Sequence, residues 1–392
     1  MTEPTPVRLS ELQELQELPS SDGDLLGPST RRAFFARAST LSLALPAVGA
    51  ALAGCAPGPT QRQDTANGNR SNGNGNGQGG PKAHNSDSKL DTAVLKGRPH
   101  TGTTAVPANA GADVTFHRYA PELPPLAEDG HVHLHWHARE APVRISDDTV
   151  VAAWTFEGDT PGPIVHCRVG DTVEFTLTND VDVPHSMDFH AAQINPKDAF
   201  RSVTKGQSVT YTFKPRYAGA FLYHCGTSPV LMHLGSGMYG AIIVSPREPL
   251  PPAREFVLVQ AELYLGDATG GVRPFDYQKM LSTMPDLVVF NGRPDQYTRE
   301  PLRAKVGERV RFWVVNAGAT HPCCFHVVGD QFDTMYLGAP PATPIRGIQT
   351  WDVAAGGGMC FELSCDIPGE FPFVNHAFGH GQKGGIGFLV VE

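Results

Sequence analysis

Four residues in the middle of the chain carry side chains that together could hold a transition metal: His185, Cys225, His233 and Met238. Seven residues separate Cys225 from His233, and four separate His233 from Met238. A thiolate, two imidazoles and a more distant thioether form the soft, roughly trigonal ligand set that suits a copper ion in electron transfer. The sequence therefore predicts a type 1, or blue, copper site here. The alternative is a buried cysteine with incidental histidines and a core methionine.

A second set of histidines, at His190, His224 and His376, could form a catalytic metal centre. His224 directly precedes Cys225, and adjacent residues of a strand point to opposite faces, so His224 should point away from the first site. His190 lies five residues after His185 and could share that outward direction. Three neutral imidazoles leave a fourth position open for water or substrate. The alternative is that His376 is a relic of an internal repeat and binds no metal.

The elements that must position these histidines are short β-strands. Apolar residues occupy every second position of 173–177 and of 310–314, and a period of two indicates half-buried strands. The segment 185–190 parallels 321–326, and each begins and ends with a histidine. The chain therefore predicts an all-β fold of two tandem Greek-key β-sandwiches, each of about 130 residues.

The two copies differ at one informative position. In the first copy His224 is followed by Cys225, and in the second His376 is followed by Ala377. A metal-binding thiolate is therefore present only in the first copy. We expect a first domain at 112–250 that holds the blue copper, and a second domain at 251–392 that contributes to the catalytic metal.

The first 111 residues are expected to be an export signal followed by a flexible linker. Arg31 and Arg32 precede an apolar run that is too short to span a bilayer and that ends at Cys55. Residues 1–55 are therefore predicted to be a twin-arginine, lipoprotein-type export signal, and 56–111 a flexible Asn/Gly-rich linker. We expect an exported, lipid-anchored protein, in the periplasm or on the outer face of the cytoplasmic membrane, whose membrane contact is made only through a lipid on Cys55. An amphipathic surface helix is the alternative.

The composition narrows the classes of partner. The net charge of −9 over 392 residues shows no basic footprint, so nucleic acid is not an expected partner.

Five cysteines remain besides Cys55 and Cys225, which leaves at least one unpaired and the pairing open: Cys167, Cys323, Cys324, Cys360 and Cys365. A final group, His131, His133, His135 and His137, alternates along one predicted strand. We interpret it as the surface histidines of an edge strand, with an accessory copper-loading patch as the alternative.

Over nearly all of residues 112–392 the sequence resembles the two-domain copper-containing nitrite reductases of the multicopper oxidase and cupredoxin superfamily. The resemblance is carried by five motifs, at 184–190, 223–225, 233–238, 325–329 and 374–376. It implies a homotrimer with a type 1 and a type 2 copper in each chain. The type 2 copper would lie between subunits, bound by His190 and His224 of one chain and His376 of the next. The implied reaction is one-electron reduction of nitrite to nitric oxide and water.

The reaction consumes protons, which directs attention to two further residues. Asp188 lies between two predicted ligands, and a carboxyl beside a metal-bound substrate is a natural proton relay. The resemblance assigns that role to Asp188 and a second proton-handling role to His326. It also places Val328 in the substrate pocket, where the family commonly has isoleucine, so the pocket is expected to be wider. The alternatives are a turn cap for Asp188 and a core histidine for His326.

Electrons are expected to come from a small redox protein, a cytochrome c or a cupredoxin, and to pass from the type 1 to the type 2 copper through Cys225 and His224. Two other functions remain open. A laccase-like multicopper oxidase would share the fold, but its histidine motif after the cysteine is broken here by Gly226. A non-enzymatic exported copper electron carrier would have no reason to combine Asp188, His326 and His376.

Overall fold

The computed structural model describes residues 113–392, which belong to one compact unit. The expected export signal at 1–55 and the expected linker at 56–111 lie outside the described residues. Within residues 113–392, no helix combines the length and the apolar character that a membrane crossing requires.

Strands dominate the described chain. In chain order they are β1 (His131–Arg144), β2 (Val150–Phe156), β3 (Val165–Arg168), β4 (Thr172–Asn179), β5 (Asp188–Phe189), β6 (Ser208–Phe213), β7 (Gly219–His224), β8 (Tyr239–Ser245), β9 (Arg254–Leu263), β10 (Val272–Arg273), β11 (Leu287–Phe290), β12 (Leu302–Ala304), β13 (Arg309–Gly318), β14 (Cys323–Val327), β15 (Phe332–Tyr336), β16 (Ile345–Ile348), β17 (Thr350–Val353), β18 (Gly358–Ser364), β19 (Gly369–Asn375) and β20 (Ile386–Val391). The helices are short: α1 (Pro196–Ala199), α2 (Val230–Gly235), α3 (Tyr277–Leu281), α4 (Gln296–Arg299) and α5 (Phe378–Gly381).

The strands form four sheets, two in each half of the described chain. The first half contains the sheets β10-β2-β1-β4-β6 and β3-β8-β7-β5, and the second contains β11-β9-β13-β18-β15-β16 and β12-β20-β19-β14-β17. An apolar core lies between the two sheets of each half. The prediction of an all-β fold of two tandem sandwiches is therefore confirmed. One short strand, β10, comes after residue 251 and yet pairs with β2 of the first half.

The two segments that predicted half-buried strands behave differently. Strand β4 alternates as expected, with Val173, Phe175 and Leu177 buried. Strand β13 is buried on both faces from Val310 to its end. The expectation of a half-buried strand is wrong for β13, because the face that carries Trp313 packs against the first half of the molecule.

A third apolar cluster joins the two halves. It contains Leu222 and Ile243 from β7 and β8, together with Val257, Trp313 and other residues of the second half. Burial of apolar surface is the main favourable contribution to folding, so this shared cluster holds the halves together. It also sets the position of β7, the strand that ends at the candidate metal ligands.

Candidate metal centres

One hairpin positions most of the first site. Strand β7 ends at His224 and is followed directly by Cys225, helix α2 carries His233, and β8 begins just after Met238. The backbone N–H of Cys225 donates to the carbonyl oxygen of Met238 at 3.1 Å, and that of Met238 donates to the carbonyl oxygen of His233 at 3.3 Å. These bonds bring three predicted ligands to one end of the sheet.

The donor atoms of the first site converge in the solvent-inaccessible interior. The sulfur of Cys225 lies 3.4 Å from Nδ1 of His233 and 3.8 Å from Nδ1 of His185, and the two Nδ1 atoms are 3.0 Å apart. All three residues, and Met238, are fully buried. A thiol and two imidazole nitrogens at these separations fit a soft metal ion in their midst.

Burial also sets the protonation of this site. It lowers the pKa of His185 to about 3, with nearby His233 adding to the effect, so the imidazole is neutral and able to bind a metal. Burial raises the pKa of the Cys225 thiol, and the backbone N–H of Ser186, which donates to its sulfur at 3.4 Å, opposes that rise. A bound cation would supply the remaining stabilisation that the thiolate needs.

The second site lies on the other side of the same strand. Strand β5 pairs antiparallel to β7 and sets Asp188 opposite His224. Donor atoms of Asp188, His190 and His224 all lie within 4.8 Å of one another. The Nε2 atoms of His190 and His224 are 3.1 Å apart. This group is partly open to solvent, because His190 is exposed while His224 is half-buried.

Backbone carbonyls determine which nitrogen of each ring carries the proton. Nδ1 of His224 lies 2.8 Å from the carbonyl oxygen of Cys225, and Nδ1 of His190 lies 3.1 Å from that of Gly356. A carbonyl only accepts, so each Nδ1–H donates and each Nε2 carries a lone pair. Burial lowers the pKa of His224, which keeps that ring neutral. Two lone pairs that face each other at 3.1 Å repel unless a cation lies between them, and this is the pattern of histidines that bind a metal.

His326 and His376 lie together on the second half of the molecule. Strand β14 carries His326, and His376 follows β19, its neighbour in the sheet. Their ring centroids are 5.2 Å apart, and the His376 ring also packs on Phe378 at 4.4 Å. Nδ1 of His326 donates to the carbonyl oxygen of Gln349 at 2.5 Å, which leaves its Nε2 free to exchange a proton.

The two groups of histidines are not joined within one chain. Among the described residues, His376 is not part of the group formed by Asp188, His190 and His224. His376 is exposed, and so is Val328, which is 41% exposed. The backbone N–H of Val328 donates to the carbonyl oxygen of Pro372 at 2.7 Å, which fixes it on the same strand end as His326. The second half therefore presents this group at its surface.

Known proteins of this architecture share both fold and sequence with the chain. The multicopper oxidase family model matches residues 131–249. A copper-containing nitrite reductase of Neisseria meningitidis serogroup A is 38% identical over 290 residues, which cover 71% of this chain and 74% of the relative. The chain belongs to the copper-containing nitrite reductase family. The resemblance seen in the sequence motifs is therefore confirmed, and the protein is an oxidoreductase of a copper-dependent family.

Solved structures agree with this family membership. A copper nitrite reductase from Nitrosomonas europaea has a TM-score of 0.63 at 36% identity, and the match covers 67% of this chain and 94% of that one. A multicopper oxidase has a TM-score of 0.60 at 28% identity, with 71% and 94% covered. The chain is therefore similar in fold both to a copper nitrite reductase and to a multicopper oxidase.

Several contacts of the sites leave no trace in the sequence. The carbonyl oxygens of Gly356 and Gln349 orient His190 and His326, and a backbone atom gives no sequence signal. The Trp154 ring packs against both imidazoles of the first site, at 5.4 Å from His185 and 4.8 Å from His233. It comes from β2, far from either histidine in the sequence. Only tertiary packing brings these groups together.

Proposed function

We propose that this protein reduces nitrite by one electron, consuming two protons and releasing nitric oxide and water. The observation that carries the proposal is the pair of facing Nε2 atoms of His190 and His224, which lie 3.1 Å apart. His224 directly precedes the buried Cys225. Such a pair holds a metal with an open coordination position, where a small anion can bind. The covalent Cys225–His224 link then connects the catalytic metal to an electron-transfer site.

The chain offers a distinct ligand set for each copper. His185, Cys225, His233 and Met238 would hold the type 1 copper. His190 and His224 of one chain, with His376 of a neighbouring subunit, would hold the type 2 copper. Copper in the first set would supply one-electron transfer, and copper in the second would supply Lewis-acid polarisation of nitrite.

Asp188 and His326 would handle the two protons. Asp188 stands beside the facing imidazoles of His190 and His224, within reach of a substrate oxygen there. His326 is held through its Nδ1–H by the carbonyl of Gln349, so its Nε2 is the atom that can deliver a proton. Val328, on the same exposed strand end, would line the substrate pocket and limit what can enter.

We propose that the protein assembles as a homotrimer, as its resemblance to the family implies. The exposure of His376 on the second half and of His190 on the first supports an assembly in which neighbouring chains complete each other's sites. We propose that a small electron-transfer protein, a cytochrome c or a cupredoxin, supplies the electron. We also propose that the protein is exported and held by a lipid on Cys55, in the periplasm or on the outer face of the cytoplasmic membrane.

The first test is the variant His376→Ala. We expect it to keep the blue absorption, because the ligands of the first site are untouched, and to lose nitrite turnover by at least about a hundredfold. Copper per chain, the visible and paramagnetic resonance spectra, and nitric oxide release with an artificial reductant measure the two effects. His117→Ala, which removes an exposed histidine outside both ligand sets, is the control.

Three outcomes would contradict the proposal. Loss of the blue colour in His376→Ala would mean that the ligand assignment is wrong. Unchanged nitrite turnover would remove His376 from the active site. A wild-type protein with one blue copper per chain and no nitrite turnover would be an electron carrier instead.

A further inference from the structure

Four histidines stand in a row on the outer face of the first sandwich, away from both copper sites. Strand β1 points Val132, Leu134 and Trp136 toward the core, so the alternate positions face outward. These outward positions are His131, His133, His135 and His137. The polar face of this strand therefore consists of imidazoles along 131–137.

The surroundings leave the row open. Residues 131–138 pair with β4, where the neighbours on the same face include Glu174, Thr176 and Thr178. On the other edge β2 pairs with β1 only from Ala138 onward, and Glu157, just after β2, bonds the backbone of His137: its N–H donates to the His137 carbonyl oxygen at 3.0 Å, and its carboxylate accepts from the His137 N–H. The side chain of His135 remains exposed and that of His137 half-exposed.

Within the row, His135 and His137 form the tighter pair. Their ring centroids are 5.3 Å apart with the planes 24° from parallel, against 6.3 Å for His131 and His133. Two roughly parallel imidazoles at this spacing, one strand pleat apart, can turn one nitrogen each toward a shared ion. The strand geometry thus sets the rings of His135 and His137 side by side.

One nitrogen of each ring is already engaged by a supporting group. Nδ1 of His137 lies 2.9 Å from a carboxylate oxygen of Asp180, and Nε2 of His135 lies 3.0 Å from the hydroxyl of Thr178. The His137 contact also holds the pKa of the Asp180 carboxyl below its usual range. A histidine whose second nitrogen donates to a carboxylate is a common arrangement at metal sites. The hydroxyl of Thr178 can accept from His135 in the same way. Nε of Arg139 also donates to the carboxylate of Asp180, at 3.3 Å, so this guanidinium competes with His137 for the same oxygen.

We propose that His135 and His137 bind one additional divalent transition-metal ion, with Asp180 and Thr178 orienting the two rings. Imidazole ligands suit copper, nickel and zinc, and among divalent ions of this row copper binds most tightly to a given nitrogen site. The ion would be Cu²⁺, held at the surface with most of its coordination filled by water. This site is separate from the two copper centres and does not depend on the proposed nitrite reduction.

The test uses the full-length holoprotein with both copper centres loaded and loosely bound metal removed by a weak chelator. Cu²⁺ is then added against a competing amino acid, and the extra copper per chain is measured by equilibrium dialysis. We expect about one additional copper per chain in the wild type. The double variant His135→Gln with His137→Gln should lower its affinity by at least about tenfold.

Two controls locate the site. His117→Gln removes an exposed imidazole elsewhere, and the double variant His131→Gln with His133→Gln removes the wider pair. Both should keep the affinity within about twofold, while Asp180→Asn should weaken it about tenfold through loss of ring orientation alone. Blue absorption that matches the wild type shows that each variant is folded.

The proposal is overturned if the wild type takes up no additional copper, or if removal of His135 and His137 leaves the affinity unchanged. Equal losses in the two double variants would also overturn the assignment to this pair. Nitrite turnover should stay at the wild-type level in all four variants. A failed nitrite assay in the wild type would leave the additional copper count intact, so the two proposals fail separately.

Discussion

His166 shows at the scale of a single residue how burial controls charge in this fold. Its Nδ1 donates to the carbonyl oxygen of Pro124 at 2.5 Å, and its Nε2 lies 2.8 Å from the hydroxyl of Ser245, which can donate to it. Both nitrogens of a neutral ring are therefore satisfied. Burial lowers the pKa of His166 below its ordinary value of 6.5. The folded protein consequently resists a proton that the unfolded chain accepts.

This difference predicts a pH dependence of stability. As the pH falls below about 6.5, His166 becomes protonated in the unfolded state but stays neutral in the folded state until a lower pH. The unfolded state then binds more protons, so the free energy of unfolding decreases. The slope from this one residue is at most about 1.4 kcal/mol per pH unit. His166→Gln should remove that part of the slope between pH 7.5 and 5.5, measured by urea unfolding of metal-free protein at about four pH values. The exposed His117→Gln should leave the slope as it is; an identical slope in both variants would contradict the prediction.

At the scale of an element, the turn after β11 ties the second half to the first. Gly292 has a φ of +77°, and a Cβ added there would lie 2.1 Å from the carbonyl oxygen of Thr160. Next to it, the buried Arg293 forms two bonds with the carboxylate of Asp159, at 2.7 and 2.9 Å, and a third with the carbonyl oxygen of Thr160. Only glycine allows the backbones to approach this closely.

Gly292→Ala should therefore destabilise the protein by about 2–3 kcal/mol, since strain at positive φ adds to a collision with a backbone atom that cannot turn aside. Gly271→Ala is a matched control, because Gly271 also has a positive φ, of +79°, but open space around it. The control should cost about 1 kcal/mol. Urea unfolding measures both, and equal losses would show that the contact between the halves contributes nothing.

At the scale of the whole molecule, each active site would need two chains. His190 and His224 stand on the first half, and His376 stands on the second, outside the group that the first two form with Asp188. A chain with His190→Ala and a chain with His376→Ala should each be inactive alone. When the two are dissociated, mixed equally and reassembled, some sites receive both intact halves.

Random mixing predicts the recovered activity. A site works when its first contributor carries an intact His190 and its second an intact His376, each with a chance of one half, so about a quarter of the wild-type nitrite turnover should return. Nitric oxide release per copper measures it. Mixtures that stay inactive, although mass analysis shows mixed oligomers, would place the whole site within one chain.

Much of the candidate site is predictable from the order of the residues along the chain. The adjacency of His224 and Cys225, together with the two-residue period of a strand, requires the two side chains to point to opposite faces. The repeat predicts two sandwiches, and β4 follows its alternating pattern. Strand β13 does not, since its alternation indicates one buried face and carries no information about a second body packed on the other.

The amino-acid sequence alone establishes the donor types, their order and their local directions, because these depend on neighbours along the chain. Tertiary packing selects the backbone carbonyls that orient His190 and His326, and it places Trp154 on the buried imidazoles. It also separates His376 from the group around Asp188. Each of these contacts and separations involves segments that are far apart in the sequence. They are determined by how the sheets pack on one another and on the core shared by the two halves.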